Sequence, residues 1–357
     1  MTVIIAEAGV NHNGKADLAF ALIDEAHKAG ADIVKFQTFK AENLVTGAAQ
    51  QARYQQVNTQ RPESQLAMLK RLELTYDTHH QLIGHCHSLG IGFMSTAFDH
   101  ESLVFLTQTL GLTTLKIASG ELTNAPLLLA HARTGCKLIV STGMATLADI
   151  ESALGVIAFG CIAEQNAEPS MKAFEMAYAS AEGQQALKEK VTLLHCTTEY
   201  PAPFDEINLR AMDTLHRAFD LPAGYSDHSE GIAVPLAAVA RGAQVIEKHF
   251  TLDKNLPGPD HKASLNPVEL QTMVSAIRQI DVALGSPIKS PSASEYNNRK
   301  VARKCLVAAC DIPKGTQFTS SNMAVKRAGE GLSPYEYWRV LGTMANRQYT
   351  SGECIVD

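Results

Sequence analysis

The chain has 357 residues, a net charge of -6 and a pI near 6.1, with 45% hydrophobic and 19% charged residues. That balance excludes the basic face of a nucleic-acid groove, and no apolar run reaches the ~20 residues that cross a bilayer. The start, MTVIIAEAGVNHNG, lacks the basic stretch and small-residue cleavage site of a secretory leader. Seven cysteines, an odd number without a CxxC pair, read as reduced thiols of a cytoplasmic protein.

In chain order, VIIAEA (3–8) reads as the first strand. The segment KADLAFALIDEAHKAG (15–30) follows, with Leu18, Leu22, Ile23 and Ala26 at helical spacing. Strands then recur as DIVKFQ (32–37), IGFMST (91–96), TLKIAS (114–119), KLIVST (137–142), VTLLHCT (191–197), AGYSDH (223–228) and QVIEKHF (244–250). Most are separated by enough chain for one helix. The early strands are apolar rather than alternating, as when both faces are buried. Eight such units within residues 1–285 predict an α/β fold, a (β/α)₈ barrel. A doubly wound open sheet is the alternative, disfavoured by the count and by the lack of GxGxxG after strand one. The long connection 161–190, rich in Ala, Glu, Met and Gln, predicts an extra surface helix without a chemical role. Residues 286–300, SPIKSPSASEYNNRK, read as a linker. Residues 301–357 predict a small β-rich domain. It is small for an independent core and is expected to dock on a barrel.

A barrel carries its active site at the C-terminal ends of its strands. Those ends hold Glu7, Lys35 with Gln37, Ser95 with Thr96, Lys116 with Ser119 and Glu121, Ser141 with Thr142, His195 with Thr197, Ser226 with Asp227 and His228, and Lys248 with His249. A single lysine in an apolar run usually snorkels or pairs. Three near strand ends, Lys35, Lys116 and Lys248, predict an anion site beside the hydroxyls of Ser119, Ser141 and Ser226, suited to phosphate and carboxylate. A lone histidine is usually a satisfied core residue. His228 and His249, on adjacent strand ends, predict instead a shared divalent cation, with Glu7 or Asp260 as oxygen partner, and Mn²⁺ or Mg²⁺ rather than structural Zn²⁺. Two loops are weaker signals. EAGVNHNG (7–14) reads either as a polyol contact or as a turn and cap, and EYPAPFDEINL (199–209) as a rigid loop presenting Tyr200 to a sugar or as plain structure.

These stretches resemble the bacterial sialic acid (nonulosonic acid) synthases, a barrel followed by an antifreeze-like (SAF) domain. AEAGVNHNG, VKFQTFKAENL, LKIASGELTN, STGMA, LLHCTTEYPAPF, GYSDHSEG, IEKHFTLDK and GPDHKAS carry the likeness in the barrel. RKCLVAACDIPKG and VKRAGEG carry it in the tail. The resemblance implies condensation of phosphoenolpyruvate with an acetamido sugar, and release of phosphate by C–O cleavage. It implies Glu7 as the catalytic carboxylate and His228 and His249 as metal ligands. Lys35, Thr96, Lys116, Ser119, Gly120, Ser141 and Ser226 would hold phosphoenolpyruvate. Asn58, Tyr200, Asp260 and Arg327 would hold the sugar, Arg327 reaching into a partner's barrel within a homodimer. The first expectation for the sugar is an N-acetylmannosamine type. The alternative is 2,4-diacetamido-2,4,6-trideoxymannose, whose synthases AEAGVNHNG and HCTTEYPAPF resemble especially. A more distant alternative is a Schiff-base aldolase with Lys116 as nucleophile. Ala97, Thr198, Ala328 and Glu330 depart from the residues common in the family.

Overall fold

The computed structural model describes residues 1–59, 61 and 63–356, apart from the side chain of Val57. Two compact units are found, Met1–Gly285 and Ser286–Asp357. In the first, β1 (Val3–Gly9), β2 (Ile33–Thr38), β3 (Gly92–Ala97), β4 (Thr114–Ile117), β5 (Lys137–Ser141), β6 (Val191–His195), β7 (Ala223–Asp227) and β8 (Val245–His249) close in that order into a parallel barrel, β8 pairing with β1.

Alternation along each strand sorts residues between two environments. Ile5, Met94, Ile139, Leu194 and Val245, with Val3 and Ile33 against them, fill the barrel interior. Their sequence neighbours Ile4, Ala6, Val34 and Ile246 face outward and pack with Leu22, Ile23, Ala26 and Met273 of the surrounding helices. Ile4, Ile5, Leu22 and Leu194 are fully buried, worth about 1.5–3 kcal/mol each in apolar transfer. The first helix, Ala16–Ala29, buries Ala19, Leu22, Ile23 and Ala26 at the expected spacing. It ends at Gly30, whose φ of 81° is the left-handed geometry of a helix C-cap.

Two segments differ from the sequence expectation. The 161–190 connection forms two helices rather than one, Met171–Ala179 and Ala181–Lys190, each started by the Ser170 or Ser180 hydroxyl. They are anchored by Ala177, Leu187 and the edge-on contact of Phe174 with Phe159. The 286–300 stretch is not a plain linker. Ser292 and Glu295 make a capping box that starts a helix at Ala293–Ala302. The second unit pairs β9 (Cys305–Ala308) antiparallel with β10 (Met323–Lys326). It has its own core of Leu306, Ile312, Phe318, Val340, Tyr349 and Ile355. Among the described residues no helix is long and apolar enough to cross a membrane.

Candidate active site

Two residues beyond the apolar plug on β1, β2, β3, β5 and β8, the interior turns polar. Ile5 is followed on the same face by Glu7, Ile33 by Lys35, Met94 by Thr96, Ile139 by Ser141 and Val245 by Glu247. The Lys35 ammonium lies 2.7 Å from Glu7 Oε2 and 3.6 Å from Glu247 Oε2, and it donates to Thr96 Oγ1 at 3.3 Å. Lys116 donates to Ser141 Oγ at 2.7 Å and lies 3.7 Å from Glu247 Oε1. Ser226 donates to the same Glu247 oxygen at 2.9 Å. Glu7, Lys35, Thr96, Lys116, Ser141, Ser226 and Glu247 are all buried. Burial on its own would favour a neutral Glu247, but Lys116, Lys35 and the Ser226 hydroxyl hold it at about 2. Burial lifts Glu7 to about 7, against the pull of Lys35 and Gln37 and with the help of the Glu247 charge. The Lys116 ammonium is shifted down by desolvation.

Sequence reasoning missed Glu247 and misplaced Lys248. Lys248 faces the other way from its neighbours. It is fully buried against Asp227 Oδ2 at 2.6 Å and donates to the Ser229 carbonyl, outside the barrel interior. The period of two gives the signal: if His249 points inward, Glu247 does too, and Lys248 does not. Gly143 was also missed. Its N–H donates to Ser119 Oγ at 3.0 Å, and a Cβ there would press on Ser119 and Cys196, so the STG turn needs a glycine. Gly120, in the short turn Ser119–Glu121, is exposed with open space where a Cβ would stand.

The histidines sit one step further up. Their ring centroids are 5.4 Å apart, and Tyr200 stacks on His228 at 4.1 Å and meets His249 edge-on at 5.5 Å. His228 Nδ1–H donates to the Thr197 carbonyl at 2.6 Å, so Nε2 keeps its lone pair and accepts from the Tyr200 hydroxyl at 3.1 Å. His249 Nδ1 is buried without a hydrogen-bond partner. Burial holds both imidazoles below their ordinary range, His228 at about 4. Two neutral imidazoles, His249 with Nδ1 unpartnered and His228 with an Nε2 lone pair that meets only the Tyr200 hydroxyl, fit a divalent cation. Among the described residues no group of three or more His, Cys, Asp or Glu is arranged around a metal position.

Above this pair, Tyr54 stacks on Tyr200 at 5.1 Å, and Asn58 donates to the Pro259 carbonyl at 2.6 Å, beside Asp260. Asp260 is buried, and desolvation raises it to about 6. Gly9 opens this corner: it has a φ of 52°, and a Cβ would stand 3.2 Å from Glu7 Oε1 and 3.5 Å from His249 Cε1. Arg327 belongs to the second unit, exposed just after β10.

Residues 22–289 match the NeuB family, and residues 303–357 match the SAF domain. The chain belongs to the NeuB family. It is 49% identical to the N,N'-diacetyllegionaminic acid synthase of Campylobacter jejuni over 99% of this chain and 98% of that protein. It is 42% identical to the protein of the same name from Legionella pneumophila, over 99% and 93%. The crystal structure of N-acetylneuraminic acid synthetase from Leptospira borgpetersenii, in complex with citrate, is 34% identical. It covers 84% of this chain and 90% of that one, with a TM-score of 0.66. Membership accounts for the barrel, the SAF domain and the enzyme class.

Proposed function

We propose that this phosphoenolpyruvate-dependent nonulosonic acid synthase takes 2,4-diacetamido-2,4,6-trideoxymannose as its sugar, giving N,N'-diacetyllegionaminate and phosphate. One observation carries the choice of sugar: the likeness, over nearly the full length, to the Campylobacter synthase of that product. It moves the preference away from N-acetylmannosamine, the first expectation from the sequence, and toward the alternative.

The polar layer supplies the groups the reaction needs. Lys35 and Lys116, with Thr96, Ser119, Gly120, Ser141 and Ser226, bind the phosphate and carboxylate of phosphoenolpyruvate. Glu247 lies between the two ammonium groups and holds them in place. Asn58, Tyr200 and Asp260 hold the sugar, with Arg327 contributed by the partner subunit of a homodimer. His228 and His249 would hold Mn²⁺ or Mg²⁺, whose chemistry when bound is that of a Lewis acid toward a carbonyl oxygen. Carbon three of phosphoenolpyruvate attacks the sugar aldehyde, and positive charge develops at carbon two. The Glu7 carboxylate stabilises that charge and directs water to it. The lysines then stabilise the departing phosphate as the C–O bond breaks. We place the reaction in the cytoplasm, a setting consistent with seven free thiols.

The test is phosphate release from phosphoenolpyruvate with a panel of acetamido sugars, with and without Mn²⁺. The expected result is a kcat/KM at least tenfold higher for the 2,4-diacetamido sugar than for N-acetylmannosamine. One hydrogen-bonding acetamido group is enough for such a ratio. Equal or reversed preference overturns the assignment.

A further inference from the structure

We infer that Cys305 and Cys354 form a reversible dithiol–disulfide pair that controls the segment carrying Arg327. Cys305 opens β9 and is buried, whereas Cys354 is partly exposed. Val307 bridges Cys354 in antiparallel fashion, and Cys305 lies two residues from Val307. Both cysteines therefore face the same side of the sheet. Their sulfurs are 3.3 Å apart, and both are free thiols.

The run Lys326–Gly331 crosses over this pair. Cys305 Sγ donates to the Lys326 carbonyl at 3.8 Å, and Cys354 Sγ donates to the Ala328 carbonyl at 3.3 Å. Gly331 fits so closely that a Cβ would stand 2.8 Å from Cys354 Cβ and 3.3 Å from Cys305 Sγ. These contacts bracket Arg327 on both sides. The stretch between them has no strand pairing beyond β10, and Gly329 adopts a φ of 100°. The thiols are thus two anchors of the loop that presents the arginine.

Oxidation would remove both anchors together. With a low-molecular-weight disulfide as oxidant, the more exposed Cys354 thiolate attacks one oxidant sulfur and releases a small thiol. The Cys305 thiolate then attacks the Cys354 sulfur of the mixed disulfide and releases the second small thiol. The protein loses two electrons and two protons, and the oxidant gains them. Closing the bond draws the sulfurs to ~2.05 Å and consumes both S–H donors. The Lys326 and Ala328 carbonyls lose their thiol donors, and the loop under Gly331 must shift. The consequence for catalysis rests on Arg327 acting as a sugar contact; the thiol chemistry does not.

The experiment equilibrates the full-length protein in glutathione buffers of stepped oxidised-to-reduced ratio, traps free thiols by alkylation, and maps peptides. Amide exchange and steady-state kinetics are recorded on the same samples. The expected result is a 305–354 cross-linked peptide, faster exchange across residues 327–331 and a several-fold rise in sugar KM, all reversed by dithiothreitol. Cys354→Ser keeps a hydroxyl donor for Ala328 and should show none of these responses. If its melting temperature shows misfolding, Cys305→Ala serves the same comparison. Absence of the cross-link in the most oxidising buffer overturns the inference, as does a cross-link that leaves exchange at 327–331 unchanged. A cross-link with faster exchange but an unchanged sugar KM upholds the thiol pair and counts against Arg327 as a sugar contact.

Discussion

Glu7 and Lys35 are register partners across β1 and β2, and their charged ends meet at 2.7 Å in a buried pocket. Even so, burial leaves Glu7 protonating at about 7. If the ionised carboxylate is the working form, kcat/KM falls as pH drops through that value. Gln37 donates to Glu7 at 3.2 Å and favours the charged form. Gln37→Ala should therefore move the acid limb to higher pH, costing more activity at acid than at alkaline pH. Glu7→Gln should lower kcat by roughly 10²–10⁴ and abolish the limb. A limb that stays in place in Gln37→Ala belongs to another group.

Lys116 and Lys248 should separate cleanly. Lys116→Met removes a charged donor from the anion site and should raise the KM for phosphoenolpyruvate by roughly 10-fold or more, with a smaller effect on the sugar. Lys248→Met strands the buried Asp227 and should cost roughly 3–5 kcal/mol of stability, while the folded fraction keeps its KM. Denaturant melts and two-substrate kinetics on both variants check this. Borohydride trapping with pyruvate should leave no adduct on Lys116.

Chelation should abolish turnover, and Mn²⁺ or Mg²⁺ should restore it. His228→Ala and His249→Ala should each lose bound metal by elemental analysis while remaining folded. The two rings lie at strand ends above the apolar plug rather than within it. Full turnover by a metal-free preparation removes the pair from the chemistry.

If Arg327 acts on a partner's site, mixing Arg327→Ala with Glu7→Gln should rescue activity after subunit exchange. Random pairing in a two-fold dimer makes about a quarter of all sites fully wild type. Activity that stays at the level of the separate variants, with exchange demonstrated by mass, confines Arg327 to its own chain or outside the reaction.

The eight strands were legible because most are short β-branched or apolar runs between helix-length segments, and β7, AGYSD, keeps that spacing. The polar strand ends were legible because charge is rare at the end of a buried strand. What was lost came from reading composition without parity: Lys248 was grouped with Lys35 and Lys116, when one residue of offset sends it through the opposite face to Asp227. Tyr54 on Tyr200 was not legible at all, since the short helix Arg53–Thr59 and a loop distant in sequence must fold before their rings meet. The helix Ala293–Ala302 was announced by Ser292 and Glu295, but surrounding Ser and Pro masked the cap.

The layer of Ile5, Met94, Ile139, Leu194 and Val245 makes the barrel a vessel with a sealed floor. Under the proposed roles, both substrates enter through the end of the barrel above that floor. Lys35 and Lys116 stand directly above the floor, and the imidazoles stand one step nearer the rim. Under the proposed roles, phosphoenolpyruvate is therefore the first guest in, and the sugar closes the door behind it. The phosphate set free at the bottom must wait for the nine-carbon product to clear the mouth. Traffic through that opening, rather than bond making alone, then sets the order in which the enzyme handles its ligands.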